Sequence, residues 1–185
     1  MKKHRLAFVD LETTGLDPFR HEIIEIGIVI AEPQGDLFGK QSLELLSEHT
    51  IGVKPEHIET AEPKALEINR YHKRSWDHAL PPAEALRECA RILNGSVFVA
   101  QNVTFDWTFL RMAAEHHGID LERAVYYHKH DLGSMVFGKL YHDPDLFKFT
   151  LREMSTYFDV KNDDAHTALS DARATFEICK KLLAL

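Results

Sequence analysis

Cysteine is scarce in this chain: Cys89 and Cys179 are the only two among 185 residues. Neither stands in a metal-ligand spacing, and a single pair is no disulfide framework, so a disulfide scaffold is excluded and a reducing, cytoplasmic setting is expected. No apolar run is long enough to span a bilayer. The start Lys2-Lys3-His4-Arg5 has the charge of a signal-peptide n-region, but the apolar stretch behind it ends at Asp10 and is too short. Basic residues are outnumbered, with 22 Lys and Arg against 29 Asp and Glu, for a formal charge of −7. That balance lacks the basic footprint of a general polyanion binder, an objection that weakens if some of the acids hold divalent cations. Repeats, low-complexity tracts and linkers are also absent. What remains is an ordinary soluble composition, 44% hydrophobic and 28% charged, which suits a single domain over residues 1–185.

Apolar and β-branched stretches predict strands at about Arg5 to Glu12 and at Ile23 to Ile30, with a hairpin-like turn at Pro33-Gln34-Gly35-Asp36. A third strand is expected from Leu43 to Val53, antiparallel to the second, with Leu43, Leu45, Ile51 and Val53 on one face. A short helix is expected near Pro63 to Ile68. Pro81-Pro82 opens a longer one that stops at Asn94-Gly95. Val97 to Ala100 reads as a strand, Thr104 to His117 as a helix closed by Gly118, and Ala124 to His128 as a fifth strand. Asp131 is placed to cap a helix from Leu132 to Leu140, and Thr150-Leu151-Arg152-Glu153 has the capping-box pattern. A final helix is expected from about Thr167 to Leu183. Three consecutive strands followed by strands alternating with helices indicate an α/β domain with a mixed sheet.

The stretch Phe8-Val9-Asp10-Leu11-Glu12-Thr13-Thr14-Gly15-Leu16 organises the rest. Residues two apart on a strand share a face, so Asp10 and Glu12 present two carboxylates side by side while Leu11 points away. Two anions at that spacing repel unless a cation lies between them. Asp106 falls in the first turns of the helix after Val97–Ala100, where an acid also suits the helix dipole. Asp171 shares a helical stripe with Ala168, Ala174, Thr175 and Ile178, a packing face on which a carboxylate needs a partner or a metal. His166 lies about 140° round the helix from Asp171 by the 3.6-residue period, which places it at the helix mouth.

Asp10-x-Glu12, Asn102-x-x-Phe105-Asp106 and His166-x-x-x-x-Asp171-Ala172 resemble, in order and spacing, the three motifs of the DEDDh 3′→5′ exonucleases. That family includes the proofreading epsilon subunit of DNA polymerase III, ribonuclease T and oligoribonuclease. The likeness extends to Glu22-Ile23-Ile24-Glu25-Ile26-Gly27 and to Ala172-x-Ala174-Thr175. It implies a ribonuclease H-like fold with a five-stranded mixed sheet flanked by helices. It further implies hydrolysis of single-stranded DNA or RNA 3′ ends to 5′-mononucleotides, with a polymerase or other protein as a possible source of those ends. Two Mg²⁺ ions, for which Mn²⁺ substitutes, would be held by Asp10, Glu12, Asp106 and Asp171, whose hard oxygens suit them. His166 would be the general base, and imidazole exchanges protons near neutral pH. Thr13, Thr14, Gly15 and Leu16, with Asn102 and Phe105, would hold the terminal nucleotide. The chain departs from many relatives at Gln101, where they carry His.

Two other classes compete. A non-catalytic nucleic-acid-binding or scaffold module of the same fold would most simply have lost a ligand, and none is missing. Metal sequestration by the twelve histidines lacks a ligand pattern at His116-His117 or at His128-x-His130. The strip from Arg70 to Trp76 interleaves cations with aromatics. It reads either as a groove for phosphates and bases or as a solvated connection whose Trp76 tucks inward.

Overall fold

The computed structural model describes residues 4–35, 41–162 and 166–185. Lys2, Lys3 and Asp36, which figure in the n-region and turn expectations, lie outside them. Five strands, β1 (Leu6–Thr13), β2 (Ile23–Gly35), β3 (Gln41–Gly52), β4 (Val97–Ala100) and β5 (Lys129–Asp131), form one sheet in the order β3-β2-β1-β4-β5. The first three run antiparallel, and β4 and β5 are parallel to β1. This is the mixed arrangement expected of the ribonuclease H-like fold. The helices are α1 (Pro63–Ile68), α2 (Pro82–Leu93), α3 (Val103–His116), α4 (Leu121–Ala124), α5 (Leu132–Leu140), α6 (Leu151–Tyr157) and α7 (Ala168–Ala184). None of the helices among the described residues is long and apolar enough to cross a membrane.

Strand alternation divides the interior into two cores. Ala7, Val9 and Leu11 of β1 and Ile26, Ile28 and Ile30 of β2 pack with Leu86 and Cys89 of α2 and Phe109 and Leu110 of α3. On the opposite face, Phe8, Val29 and Val99 pack with Val136 of α5, Met154 of α6 and Phe176 and Cys179 of α7. The Phe8 and Phe176 rings meet edge to face at 5.5 Å. The two cysteines therefore lie on opposite sides of the sheet and cannot bond to each other. Burial pushes both thiols up to about 12, which keeps them protonated and inert.

Sequence signals mark several helix ends correctly. The Asp131 carboxylate accepts from the Ser134 N–H at 2.6 Å, and the Thr150 hydroxyl accepts from the Glu153 N–H at 3.4 Å. Three expectations need correction. Pro33, Gln34 and Gly35 do not form the hairpin-like turn but stay in β2, paired with Leu43, Ser42 and Gln41 of β3. The stretch Ala124 to His128 is not the fifth strand. Asp120 caps the turn of α4 through the Arg123 N–H, and pairing with β4 begins only at Lys129, opposite Phe98. Nor do Leu43, Leu45, Ile51 and Val53 share a face. The register slips between Ile30↔Ser47 and Ala31↔Leu45, so Leu46 is the extra residue of a bulge, and a one-residue insertion turns every side chain beyond it to the other face. Leu43 thus joins the α7 side and Ile51 and Val53 the α2 side.

Gly27 sets how closely α7 approaches the sheet. A Cβ built there would lie 2.1 Å from the carbonyl carbon of Ala168, so only a bare backbone admits the first turn of α7. Gly27→Ala is expected to lower stability by about 3 kcal/mol, as overpacking does, and the melting temperature by about 6–12 °C. Thermal melts would check this; a wild-type melt would mean that α7 shifts freely.

Candidate active site

The face of β1 that carries Phe8 continues into Asp10 and Glu12, and it is the face that α7 covers. The N-terminal end of α7 thus comes down beside both carboxylates. Asp10, Glu12 and Asp171 each bring a carboxylate oxygen to a common point, the three within 4.8 Å of one another. Asp106, itself buried in an otherwise partly exposed first turn of α3, comes from the helix layer opposite α7. It lies outside that triad but close enough for its charge to act on Asp10.

Burial and mutual repulsion dominate the electrostatics. Burial raises Asp10 well above the ordinary carboxylate range, with Asp106, Asp171, Glu12 and Glu25 adding to the rise. Glu12 is pushed up to about 8 by burial, then by Asp171 and Glu25, against a smaller pull from Arg74. Asp106 reaches about 8 through burial, opposed by its own backbone N–H and that of Leu11. Asp171 is raised by burial, while hydrogen bonds from Asn162 and the His166 N–H favour its charge. Clustered oxygens whose charges are destabilised this way fit a divalent cation, which would reverse the sign of the local field.

Asp171 is held in orientation. Its Oδ1 accepts from Asn162 Nδ2 at 2.6 Å and its Oδ2 from the His166 N–H at 3.4 Å. Ser170 in turn donates to Asn162 Oδ1 at 2.7 Å. His166 is exposed at the mouth of α7, with φ at 70°, a left-handed conformation unusual outside glycine that recurs at functional sites.

The turn after β1 is built rigidly. Thr13 Oγ1 donates to the Gly15 carbonyl, Thr14 Oγ1 accepts from the Glu22 N–H, and Asn69 Nδ2 donates to the Thr13 carbonyl. Gly15 lies against the His21 ring, where a Cβ would meet it at 2.5 Å. Both threonine side chains are thus committed to the turn, which presents Leu16, 73% exposed, and Phe19, 86% exposed, outward. Asn102 is exposed at the start of α3 and Phe105 is half-buried against Phe109. Gln101 donates to the Phe149 carbonyl at 2.8 Å, a structural tie that needs no titratable group.

Within the strip from Arg70 to Trp76, Arg70, His72 and Lys73 are exposed, but Arg74 is not a free cation. Arg74 is ion-paired with the buried Glu25 and lies over the Trp76 ring, and Tyr71 stacks on that ring at 4.9 Å. Sequence reasoning assigned no role to Glu25 or Asn162, and counted Arg74 only among the cations of that strip. For Glu25 a signal existed, an acid inside the buried, β-branched run Ile23 to Ile30. A separate cavity of about 380 Å³ lies between the β1–β2 turn, α2 and α3 and touches none of the four carboxylates.

Residues 7–179 match the RNase_T family, described as an exonuclease family. Over 187 residues the chain is 28% identical to the 3′-5′ exonuclease DinG of Bacillus subtilis, covering 98% of this chain and 18% of that protein. It is 30% identical over 176 residues to the DNA polymerase III PolC-type of Caldanaerobacter subterraneus subsp. tengcongensis, covering 94% of this chain and 11% of that protein. It therefore spans less than a fifth of the length of these two relatives. E. coli exonuclease I, solved with a dT13 oligonucleotide, superimposes with a TM-score of 0.77 at 16% identity, over 96% of this chain and 40% of the other.

Proposed function

The chain belongs to the RNase_T exonuclease family, and from that premise we propose that it removes 5′-mononucleotides one at a time from the 3′ ends of single-stranded nucleic acid. The observation that carries the proposal is the convergence of Asp10, Glu12 and Asp171, from two elements far apart in sequence, within 4.8 Å.

In this reading Asp10, Glu12 and Asp171, with Asp106, hold two divalent cations, Mg²⁺ or in its place Mn²⁺. When bound, the cations relieve the charge that builds on the phosphate and on the leaving oxygen. His166 accepts the proton of the attacking water, and its place at the open mouth of α7 leaves its ring free to do so. Asn162 and the His166 N–H keep Asp171 aimed inward. Leu16 rests against the terminal base, on a turn fixed by Thr13, Thr14 and Gly15, and Asn102 and Phe105 line the opposite wall. Between DNA and RNA, the PolC-type relative, named as a DNA polymerase, favours DNA. A polymerase or another delivering protein is the proposed source of the ends, since the chain's own charge of −7 gives it little grip on long strands.

The test is product analysis on matched linear DNA, linear RNA and circular single-stranded DNA. Linear strands with a free 3′-hydroxyl should shorten stepwise to 5′-mononucleotides and circles should remain intact. A chelator should stop the reaction, and Mg²⁺ or Mn²⁺ should restore it. Efficient cutting of circles would refute exonuclease action, and undiminished hydrolysis after exhaustive chelation would remove the metal.

A further inference from the structure

Glu25 is a fifth carboxylate at the site. It stands directly across from Glu12 in the β1–β2 ladder, so the two side chains leave the sheet on the same face. Glu25 is nonetheless already engaged. Its Oε2 accepts from the Ala168 N–H at 2.9 Å and from Arg74 Nη1 at 3.1 Å, and its Oε1 accepts from Arg74 Nη2. The side chain of Glu25 is 3% exposed and that of Arg74 25%, so the pair is shielded from water.

Each of these contacts has structural consequences. The Ala168 N–H belongs to the first turn of α7, where amides have no partner inside the helix. Satisfying it from β2 fastens the helix start to the sheet three residues before Asp171. Gly27 leaves room for that contact. Arg74 is itself braced, since its guanidinium lies 4.9 Å from the Trp76 ring centroid and Trp76 Nε1 donates to the Tyr71 carbonyl. Its planar fork occupies both oxygens of Glu25.

We propose that Glu25 and Arg74 are a positioning pair: Glu25 pins the first turn of α7 so that Asp171 meets Asp10 and Glu12, and Arg74 holds Glu25 to that task and away from the bound cations. The pair touches neither substrate nor reacting atoms. Its catalytic consequence rests on the nuclease reading, but its structural consequence does not.

The test uses the full chain with Glu25→Ala, Glu25→Gln, Arg74→Ala and Arg74→Lys. In metal-free protein, exchange of the Ala168 amide, followed by NMR, should quicken about tenfold or more in Glu25→Ala when the charged hydrogen bond is lost. Glu25→Gln, which keeps an acceptor oxygen, should fall between it and wild type. Binding of Mn²⁺ alone, by calorimetry, should weaken about 10–100-fold in Glu25→Ala, as when an outer partner of a metal ligand is removed. Arg74→Ala separates positioning from simple charge. If Arg74 were only a neighbouring cation, deleting it would tighten Mn²⁺ binding; as a positioning group its loss weakens binding, and Arg74→Lys recovers part of it. On oligonucleotides, kcat should fall in the same order with KM unchanged.

Wild-type Ala168 exchange and Mn²⁺ affinity in Glu25→Ala would overturn the proposal. Tighter Mn²⁺ binding in Arg74→Ala would overturn the part assigned to Arg74. Should Glu25→Ala fail to fold, Glu25→Gln and Arg74→Lys carry the same comparison. Should the wild-type protein prove inert on nucleic acids, the exchange and Mn²⁺ arms still decide.

Discussion

Asp171→Asn is expected to abolish turnover and to weaken metal binding, whereas His166→Ala abolishes turnover and leaves metal binding largely intact. The contrast follows from their positions. Asp171 contributes an oxygen to the carboxylate triad, while His166 donates its backbone N–H to Asp171 and keeps its ring exposed at the mouth of α7. Replacing Asp171 by Asn keeps the volume and an acceptor for Asn162, but removes a charge on which several kcal/mol of transition-state stabilisation depend. At 1.4 kcal/mol per tenfold, the loss is about a thousandfold or more. A general base typically contributes about 10²–10⁴-fold. Single-turnover rates together with Mn²⁺ calorimetry check both. If His166→Ala lost metal as completely as Asp171→Asn, the assignment of His166 as base would be wrong.

The same substitution should have the opposite effect on the metal-free fold. Asp10, Glu12, Asp106 and Asp171 are all raised above the ordinary carboxylate range, so each destabilises the folded chain when ionised. Asp171→Asn should therefore melt higher than wild type in chelator at pH 8, even as activity vanishes. Such a trade between stability and function is usual where like charges are gathered for catalysis.

How much of this was legible in the sequence follows from how local each signal is. Asp10-x-Glu12 is readable because strand alternation alone places the two side chains together. The helix caps at Asp131 and Thr150 are readable because each is a contact within three residues. The bulge at Leu46 was not, since a slipped register is set by the partner strand. The ion pair of Glu25 with Arg74 bridges residues 49 apart, and nothing near either residue announces the other. Arg74 therefore looked like a free cation for phosphates, although it is bound to a buried carboxylate. Helical periodicity placed His166 at the mouth of α7 and off the face of Asp171. It said nothing of Asn162, whose role depends on a chain reversal.

Metal-free protein should lose stability as pH rises from about 5 to 8.5, and saturating Mg²⁺ should remove or reverse that loss. Glu12 has an ordinary value of 4.5 and is held at about 8 in the fold, and Asp106 likewise rises from 3.8 to about 8. Between those limits the folded chain binds more protons than the unfolded one, so stability falls with increasing pH. Glu48 beside Arg173, Glu67 beside Lys64, Glu88 beside Arg91 and Asp143 beside the Tyr157 hydroxyl run the other way, held below their ordinary values, and titrate beneath this window. A tenfold difference in proton affinity between the folded and unfolded chains corresponds to roughly 1.4 kcal/mol. The loss therefore amounts to several kcal/mol, or a fall of about 10 °C in melting temperature. Mg²⁺ acts in the opposite sense, because its ligands must be ionised and its affinity therefore grows with pH. At about a hundred times its dissociation constant it adds roughly 2.7 kcal/mol. Thermal melts across the pH range, in chelator and in Mg²⁺, test this. Glu12→Gln isolates the carboxylate from the many histidines by flattening its share of the slope. A metal-free protein whose stability rose steadily from pH 5 to 8 would mean that these carboxylates are not gathered and buried as charges in need of a cation.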